Sequence, residues 1–337
     1  MPDTVPATHR EVRLAARPEG PLTPGHFRTV EVPVPDPGPG QVLVRNRLMS
    51  VVAVMDTLVR GDASLPMPPH TPGEVMTGPA IGTVTTAPGT GLHPGDLVSH
   101  NLGWREYAVI DESDAQRIDP GALPDPAAHL SQGLPAWLGI VRGAEVRPSD
   151  TVFVTAAAGG VGSLAGQFAR LRGATRVIGS TSSLRKGRRL VDELGYDAVV
   201  LRDAGPIEDQ LREAAPDGID AVFDNVGGEQ LLAALALARR GARIALVGTL
   251  SSQISGGFSS PVEFDTGSLI LRGITVRGIS GIDHLDAIPQ WFQEFSRGLR
   301  EGTLTFPHVR LPGIDQASLA LCELLEGRHV GAVLVEL

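Results

Sequence analysis

Residues 150–172 (DTVFVTAAAGGVGSLAGQFARLR) carry the junction that most limits what this chain can fold into. Val152, Phe153 and Val154 form a short apolar run of strand formers, as a parallel strand buried on both faces requires. Ala157, Gly159, Gly160 and Gly162 follow in an A-x-G-x-x-G spacing. From Val161 onward the apolar residues recur at helical intervals, at Val161, Leu164, Ala165 and Phe168. Strand, glycine turn and helix in that order open a doubly wound α/β sheet. Small residues let the backbone approach a pyrophosphate, and the free N–H groups of the new helix favour its negative charge. Gly159, Gly160, Val161 and Gly162 are therefore candidate contacts of a dinucleotide. A glycine-lined turn without a ligand is the plainer alternative, and the strand before it and the helix after it count against that.

The junction sits inside a larger alternation. Apolar strand-like runs at 152–155, 176–179, 198–201, 221–224, 243–247 and 275–279 are separated by helical patterns at 185–194, 207–215, 229–238 and 288–299. Six strands joined by crossovers make a parallel sheet, with the glycine turn after its first strand. Residues 1–130 read differently, as short extended pieces punctuated by Pro and Gly (28–33, 41–47, 80–85, 96–99 and 104–110), which predicts a compact β-rich domain. Residues 306–337 return to strand, helix and strand, and 330–335 suits an edge of that first domain. The expected organisation is thus a β-rich domain (1–130), a nucleotide-binding α/β domain (131–302) inserted into it, and a return (303–337).

Composition narrows the partners. The net charge of −9, without basic clusters beyond 185–189, argues against nucleic acid or an anionic membrane surface. No stretch approaches the roughly 20 apolar residues of a membrane span, and the N-terminal residues lack a signal peptide's apolar core. The expectation is a soluble, cytoplasmic protein. Cys322 is the only cysteine, so the chain can form no internal disulfide and no all-cysteine zinc site. The nine histidines are scattered singly, without metal-ligand spacing, so no metal is expected.

The end of the second predicted strand bears on the cofactor. It reads GSTSSLRKGRR (179–189), with hydroxyls and four basic side chains but no acid. An NAD site usually places Asp or Glu there for the ribose hydroxyls, whereas a 2′-phosphate needs donors and positive charge. Ser182, Ser183, Arg185 and Lys186 are the candidates, and Lys186 is the only lysine in the chain. A solvated basic helix start would look similar. The reading favours NADPH over NADH.

Five stretches, GEVMTGPAIGTV (73–84), GWREYAVI (103–110), TAAAGGVGSLAGQFARLRG (155–173), GIDAVFDNVGG (218–228) and LLEGRHVGAVLV (324–335), occur in the order found in one family. With them the chain resembles the medium-chain dehydrogenase/reductase superfamily over nearly its whole length. Within it, the chain is similar to the zinc-independent branch of NADP-dependent alkenal and prostaglandin (leukotriene) reductases. The resemblance implies a GroES-like β-rich domain with an inserted Rossmann sheet, and a lysine for the 2′-phosphate where Lys186 stands. It implies further that DNVGG (224–228) and VGTLSS (247–252) flank the nicotinamide end, which adds Asn225, Gly248, Thr249 and Ser251 as cofactor candidates. His329 stands where the family pattern usually has Asn, and is a weaker candidate beside a surface role. Relatives commonly pair the edge strands of their nucleotide domains, and the apolar stretch 273–280 suits such a homodimer.

The resemblance also implies chemistry. The region that holds Cys and Gly-His-Glu in zinc-dependent relatives reads TPGEVMTG (71–78), which removes both ligands. Without a Lewis acid, hydride addition to the β-carbon of a conjugated carbonyl is the easier reduction, because charge spreads into an enolate. The tyrosine of the family's G-L-T-A-Y stretch is Trp137, the S-x-D-P-x-M-R stretch reads SVVAVMD (50–56), and the S-Q-Y tyrosine is Gln253. Tyr107 and Tyr196 fall in packing stretches, so no tyrosine acid is nominated and a ribose hydroxyl or water is expected to serve. Met49, Val52, Met55, Trp137 and Gln253 are candidates for a largely apolar substrate pocket, although core packing would explain each of the apolar four. Reduction of an enone is the leading expectation. Reductive ring closure of a polyketide-type intermediate (as in polycyclic tetramate macrolactam assembly), quinone reduction, and cofactor binding without turnover remain open.

Overall fold

The structure, a computed structural model, describes residues 5–253 and 259–337. Two compact units emerge: Met1–Ser131 with His308–Arg328 and Ala332–Leu337, and Gln132–Pro307 with His329–Gly331. In chain order the first unit supplies β1 (Thr8–Leu14), β2 (Phe27–Pro33), β3 (Gln41–Val51), the helix α1 (Val54–Arg60), β4 (Ala80–Thr86), β5 (Leu97–His100), β6 (Tyr107–Asp111) and β7 (Gln116–Arg117). The second supplies α2 (Gly133–Leu138), β8 (Thr151–Val154), α3 (Gly162–Leu171), β9 (Arg176–Thr181), α4 (Leu184–Leu194), β10 (Ala198–Leu201), α5 (Ile207–Ala214), β11 (Ile219–Asp224), α6 (Gly228–Leu237), β12 (Ala238–Leu246), α7 (Leu250–Gln253), α8 (Thr266–Arg272), β13 (Thr275–Gly278) and α9 (Ile288–Glu301). The chain then returns to the first with β14 (His308–Pro312), α10 (Ala317–Leu325) and β15 (Ala332–Glu336).

The first unit is built on the long strand β3, whose residues Val42–Val44 and Met49–Val51 are buried. It pairs antiparallel with β4, with β6 and with β15, so that Val333 lies opposite Val51 and Val335 opposite Met49. That pairing is the C-terminal return anticipated from the sequence. One core joins Val12, Leu14, Phe27, Met49, Met55, Met76 and Trp104 to Leu321 and Val333. Two details depart from the sequence reading. β1 was not expected, because its charged residues (THREVRL) mask the alternation of an edge strand. Trp104, expected at the start of a strand, has φ +64° and stands outside β6. Its N–H donates to Met49 Sδ (3.1 Å) and its carbonyl accepts from Val12 N–H (2.9 Å), so no ladder partner remains for it.

The second unit is the doubly wound sheet. Its strand order is β10-β9-β8-β11-β12-β13, all parallel, so the order reverses between β8 and β11. All six predicted strands are present. β12 begins earlier than its apolar run, at Ala238, because Ala238 pairs with Ile219 before a register shift. Phe153, Ile178, Val222 and Ile244 point to a core shared with Ile207, Leu211, Leu231 and Leu235 of α5 and α6. Crossover helices covering both faces explain why these strands are continuous apolar runs. Among the described residues no helix is long and apolar enough to cross a membrane.

Candidate dinucleotide site

All the described cofactor candidates belong to the second unit, and all but His329, which lies between α10 and β15, stand at the carboxyl ends of its strands. The turn after β8 is held from beneath. Ala156 N–H donates to Ser180 Oγ (3.0 Å) and Ala157 N–H to the Ser180 carbonyl (2.8 Å), while the Ser180 hydroxyl donates to Gln230 Oε1 (2.5 Å). Gly162 opens α3 with no room for a side chain: a Cβ there would stand 2.4 Å from the Ala156 carbonyl oxygen. Gly159 differs, since its nearest neighbour would be 3.5 Å away and the residue is exposed. Its missing side chain leaves a cradle open to solvent. Among the described residues no hydrogen bond engages the N–H of Gly160, Val161 or Gly162. Three free amides at the start of a ten-residue helix make a site for an anion.

The turn is also held from the side. Gly331 N–H donates to the Ala158 carbonyl (2.9 Å), and Gly331 bridges to Gly159. Gly331 takes φ +84°, and a Cβ there would overlap the Pro307 carbonyl, so both conformation and space demand glycine. This segment carries the half-buried His329 two residues from the bridge. The Tyr196 hydroxyl donates to the Gly162 carbonyl (2.7 Å) under the helix start, and burial pushes that phenol far up. Tyr196 therefore supports the turn and holds its proton.

At the end of β9, Ser183 caps α4, its Oγ accepting from Lys186 N–H (3.4 Å). Lys186 is buried and its Nζ donates to Ser182 Oγ at 2.6 Å. Desolvation pushes the ammonium below the usual lysine range, and the positive charges of Arg202 and Arg185 add to that. Arg202, just past β10, donates its N–H to the Thr181 carbonyl (3.0 Å). The Thr181 hydroxyl is buried and has no hydrogen-bond partner among the described residues. Three cations and three hydroxyls thus converge where the sequence has no acid, an arrangement suited to a dianion.

Across the sheet, two loops are zipped together. Asn225 N–H donates to Thr155 Oγ1 (2.7 Å), Leu250 N–H to the Asn225 carbonyl (3.1 Å), and the Ser251 hydroxyl to the Val226 carbonyl (2.6 Å). A Cβ on Gly248 would stand 2.4 Å from Asn225 Oδ1, so the amide lies over that glycine. Thr249 is half-buried in the same loop, its carbonyl accepting from Ser252 N–H at 3.0 Å. Gln253 ends α7; its side chain lies outside the described residues.

The residues nominated for substrate divide between the units. In the first, Met49 and Met55 are buried in the core with Trp104, and half-buried Val52 packs against it. In the second, Trp137 is fully buried, and its indole N–H donates to Glu294 Oε2 (3.0 Å), which also accepts from Arg172 Nη2 (2.7 Å). No group of three or more His, Cys, Asp or Glu side chains among the described residues is placed to hold a metal ion.

Sequence reasoning missed four residues here: Thr181 and Arg202 beside Lys186, and Thr155 and Asp224 between the glycine turn and the second loop. Each stands at the carboxyl end of a strand or just past it. Laying the predicted strands in a doubly wound order would have set them side by side.

Comparison with known proteins agrees with this architecture. Residues 10–118 match a family model described as the N-terminal domain of oxidoreductase, and residues 160–297 match one described as zinc-binding dehydrogenase. The chain is 30% identical over 336 residues to the NADPH-dependent curcumin reductase of Escherichia coli (strain K12), covering 96% of this chain and 95% of that protein. It is 29% identical over 312 residues to the 2-alkenal reductase (NADP(+)-dependent) of Nicotiana tabacum, covering 91% of this chain and 90% of that one. The solved structure of CurA in complex with NADPH from Vibrio vulnificus is similar at a TM-score of 0.88 and 28% identity, covering 97% and 98% of the two chains.

Proposed function

Because the chain belongs to the medium-chain dehydrogenase/reductase superfamily, in its zinc-independent NADP-dependent reductase branch, we propose that it transfers hydride from NADPH to the β-carbon of a conjugated carbonyl. The protein is an NADP-dependent oxidoreductase, and the residues present fit its cofactor. The open cradle at Gly159 and the free amides of Gly160, Val161 and Gly162 would take the pyrophosphate. Lys186, Ser182, Ser183 and Arg185, with Thr181 and Arg202, would take the 2′-phosphate. Asn225, Gly248, Thr249 and Ser251, with His329, are proposed to bound the nicotinamide half. The observation that carries the reading is the buried Lys186 on Ser182 at a strand end that has no acid.

When bound, NADPH supplies the hydride, and the chain's own residues have the tasks of orientation and water exclusion. No protein acid is assigned. Tyr196 is committed to the Gly162 carbonyl and the indole of Trp137 to Glu294, so the α-carbon proton is proposed to come from water or a ribose hydroxyl. A specialised, largely apolar substrate is proposed, with Val52 as the pocket residue of the first unit, since Met49 and Met55 are absorbed by its core.

A homodimer is proposed through β13. That strand is the sheet's edge, all four of its residues are exposed, and Ile270 and Leu271 beside it are 79% and 76% exposed. A cytoplasmic location is proposed on the ground that the single cysteine is free and buried, so the fold needs no oxidising compartment.

The test is oxidation of NADPH and of NADH with a 2-alkenal, an enone, a quinone and a conjugated polyenone, products being identified by mass spectrometry and NMR. NADPH consumption with an enal or enone, giving a product two hydrogens heavier, is expected. A product that carries a new ring would move the reading to reductive cyclisation. Binding of NADPH without consumption by any acceptor would count against turnover.

A further inference from the structure

Four carboxylates are buried among the described residues, and three have an arginine. Glu11 pairs with Arg13 (2.7 Å), Asp56 with Arg60 (2.9 Å) and Asp150 with Arg243 (2.5 Å). Asp224, 1% exposed, has no cationic partner among the described residues. Its oxygens meet only neutral donors: Oδ1 accepts from the Thr155 hydroxyl (2.9 Å) and Val226 N–H (3.2 Å), and Oδ2 from Gly227 N–H (2.9 Å). Burial pushes its pKa above the ordinary carboxylate range, and these three donors pull it back. Three donors and no acceptor are the surroundings of an ionised carboxylate.

Its place gives the charge a use. Thr155 follows β8 and Asp224 ends β11, the two strands between which the sheet order reverses, and it is across such a crevice that doubly wound sheets bind dinucleotides. The cation cluster at the end of β9 marks the adenosine side, which leaves the side of β11 and β12 to the nicotinamide. A buried charge without a counter-ion acts over several ångströms, because little water screens it. In the proposed reaction the β-carbon gains hydride, the α-carbon gains a proton from water, and the cofactor is left as NADP⁺ with a positive ring.

We propose that Asp224 is an electrostatic selector between the two redox forms of the cofactor, favouring the cationic ring of NADP⁺ and so the departure of hydride. This rests on the NADPH reading above. The experiment titrates the whole protein with NADPH by its fluorescence and then displaces it with NADP⁺, giving both Kd values. Asp224→Asn and Asp224→Ser each delete the charge but keep an oxygen that can cap the Val226 and Gly227 amides. In both, the ratio of Kd for NADP⁺ to Kd for NADPH is expected to rise about tenfold. Thr155→Ser keeps both the carboxylate and the hydroxyl that donates to it while loosening the packing around the loop, so the ratio of the two Kd values should stay unchanged even if both rise. An unchanged ratio in the Asp224 variants, whether or not both forms weaken, overturns the proposal and leaves Asp224 a loop cap. Should Asn prevent folding, Ser carries the test alone. Failure of the unaltered protein to bind NADPH would instead sink the cofactor reading itself.

Discussion

The two sides of the crevice in the second unit use one architectural position, the carboxyl end of a parallel strand, with opposite charge. Past β9 and β10 the chain gathers Lys186, Arg185 and Arg202 around the hydroxyls of Thr181 and Ser182. At the end of β11 it buries Asp224 on a hydroxyl and two amides. The cationic side shares its charge over several groups, two of which reach solvent, while the anionic side is one enclosed residue. The difference matches what each half of an extended ligand presents: a phosphate dianion at one end, and at the other a ring whose charge changes during the reaction. Sign and enclosure together say more about the ligand than the glycine turn between them does.

The severest way to break this comparison is to remove the turn that separates the two sides. In Gly162→Ala the added methyl would meet the Ala156 carbonyl at 2.4 Å. A loss of about 2–4 kcal/mol in stability is expected, with NADPH binding lost beyond about 100-fold. Gly159→Ala is its control. With 3.5 Å to the nearest atom it should melt at the parent temperature, yet bind NADPH more weakly because the methyl enters the cradle. Thermal melts and fluorescence titration of both variants check the pair, and equal melting of the two would show that the turn tolerates side chains throughout.

Lys186→Met isolates the cationic side. Loss of a charge-assisted bond to phosphate should raise the Kd of NADPH about 10- to 100-fold and that of NADH less than about threefold. Similar losses for both cofactors would move the 2′-phosphate elsewhere. Acid–base behaviour sharpens the same point. The Lys186 ammonium is pushed below its usual value of 10.5, so it is charged below that lowered value and neutral above it. Affinity for NADPH should therefore fall as pH rises through the alkaline range short of 10.5, while affinity for NADH stays level. The smallest effect is expected of Arg202→Ala. That guanidinium is exposed and shares Asp203 at 3.3 Å, so a change of about two- to fivefold in NADPH affinity is anticipated.

How much of this was legible follows the distance along the chain over which each feature is built. The glycine turn occupies six consecutive residues, and Lys186 stands five beyond the end of its strand, so both could be read directly. The buried strands announced themselves as apolar runs. Thr155 and Asp224 are 69 positions apart and meet only because β8 and β11 are neighbours, which no local pattern records. Arg202 falls between the strand-like run 198–201 and the helical pattern 207–215, and only the pairing of β10 with β9, which sets Leu201 beside Thr181, gives it a place near Lys186. Met49 and Met55 show the opposite limit: an apolar side chain at strand or helix spacing reads the same whether it lines a pocket or fills a core. The core around Trp104 holds both.

The bond from Gly331 to Ala158 has a consequence for how the protein is made. The glycine turn and its helix are synthesised near the middle of the chain, but their lateral support arrives with residues 329–331. A nascent chain that has emerged only as far as β13 has every strand of the sheet and an unfinished anion cradle. The last step in building the cradle therefore waits until residue 331 has left the ribosome, and NADPH offered to nascent chains of increasing emerged length should find a loose turn before that point and a firm one after it.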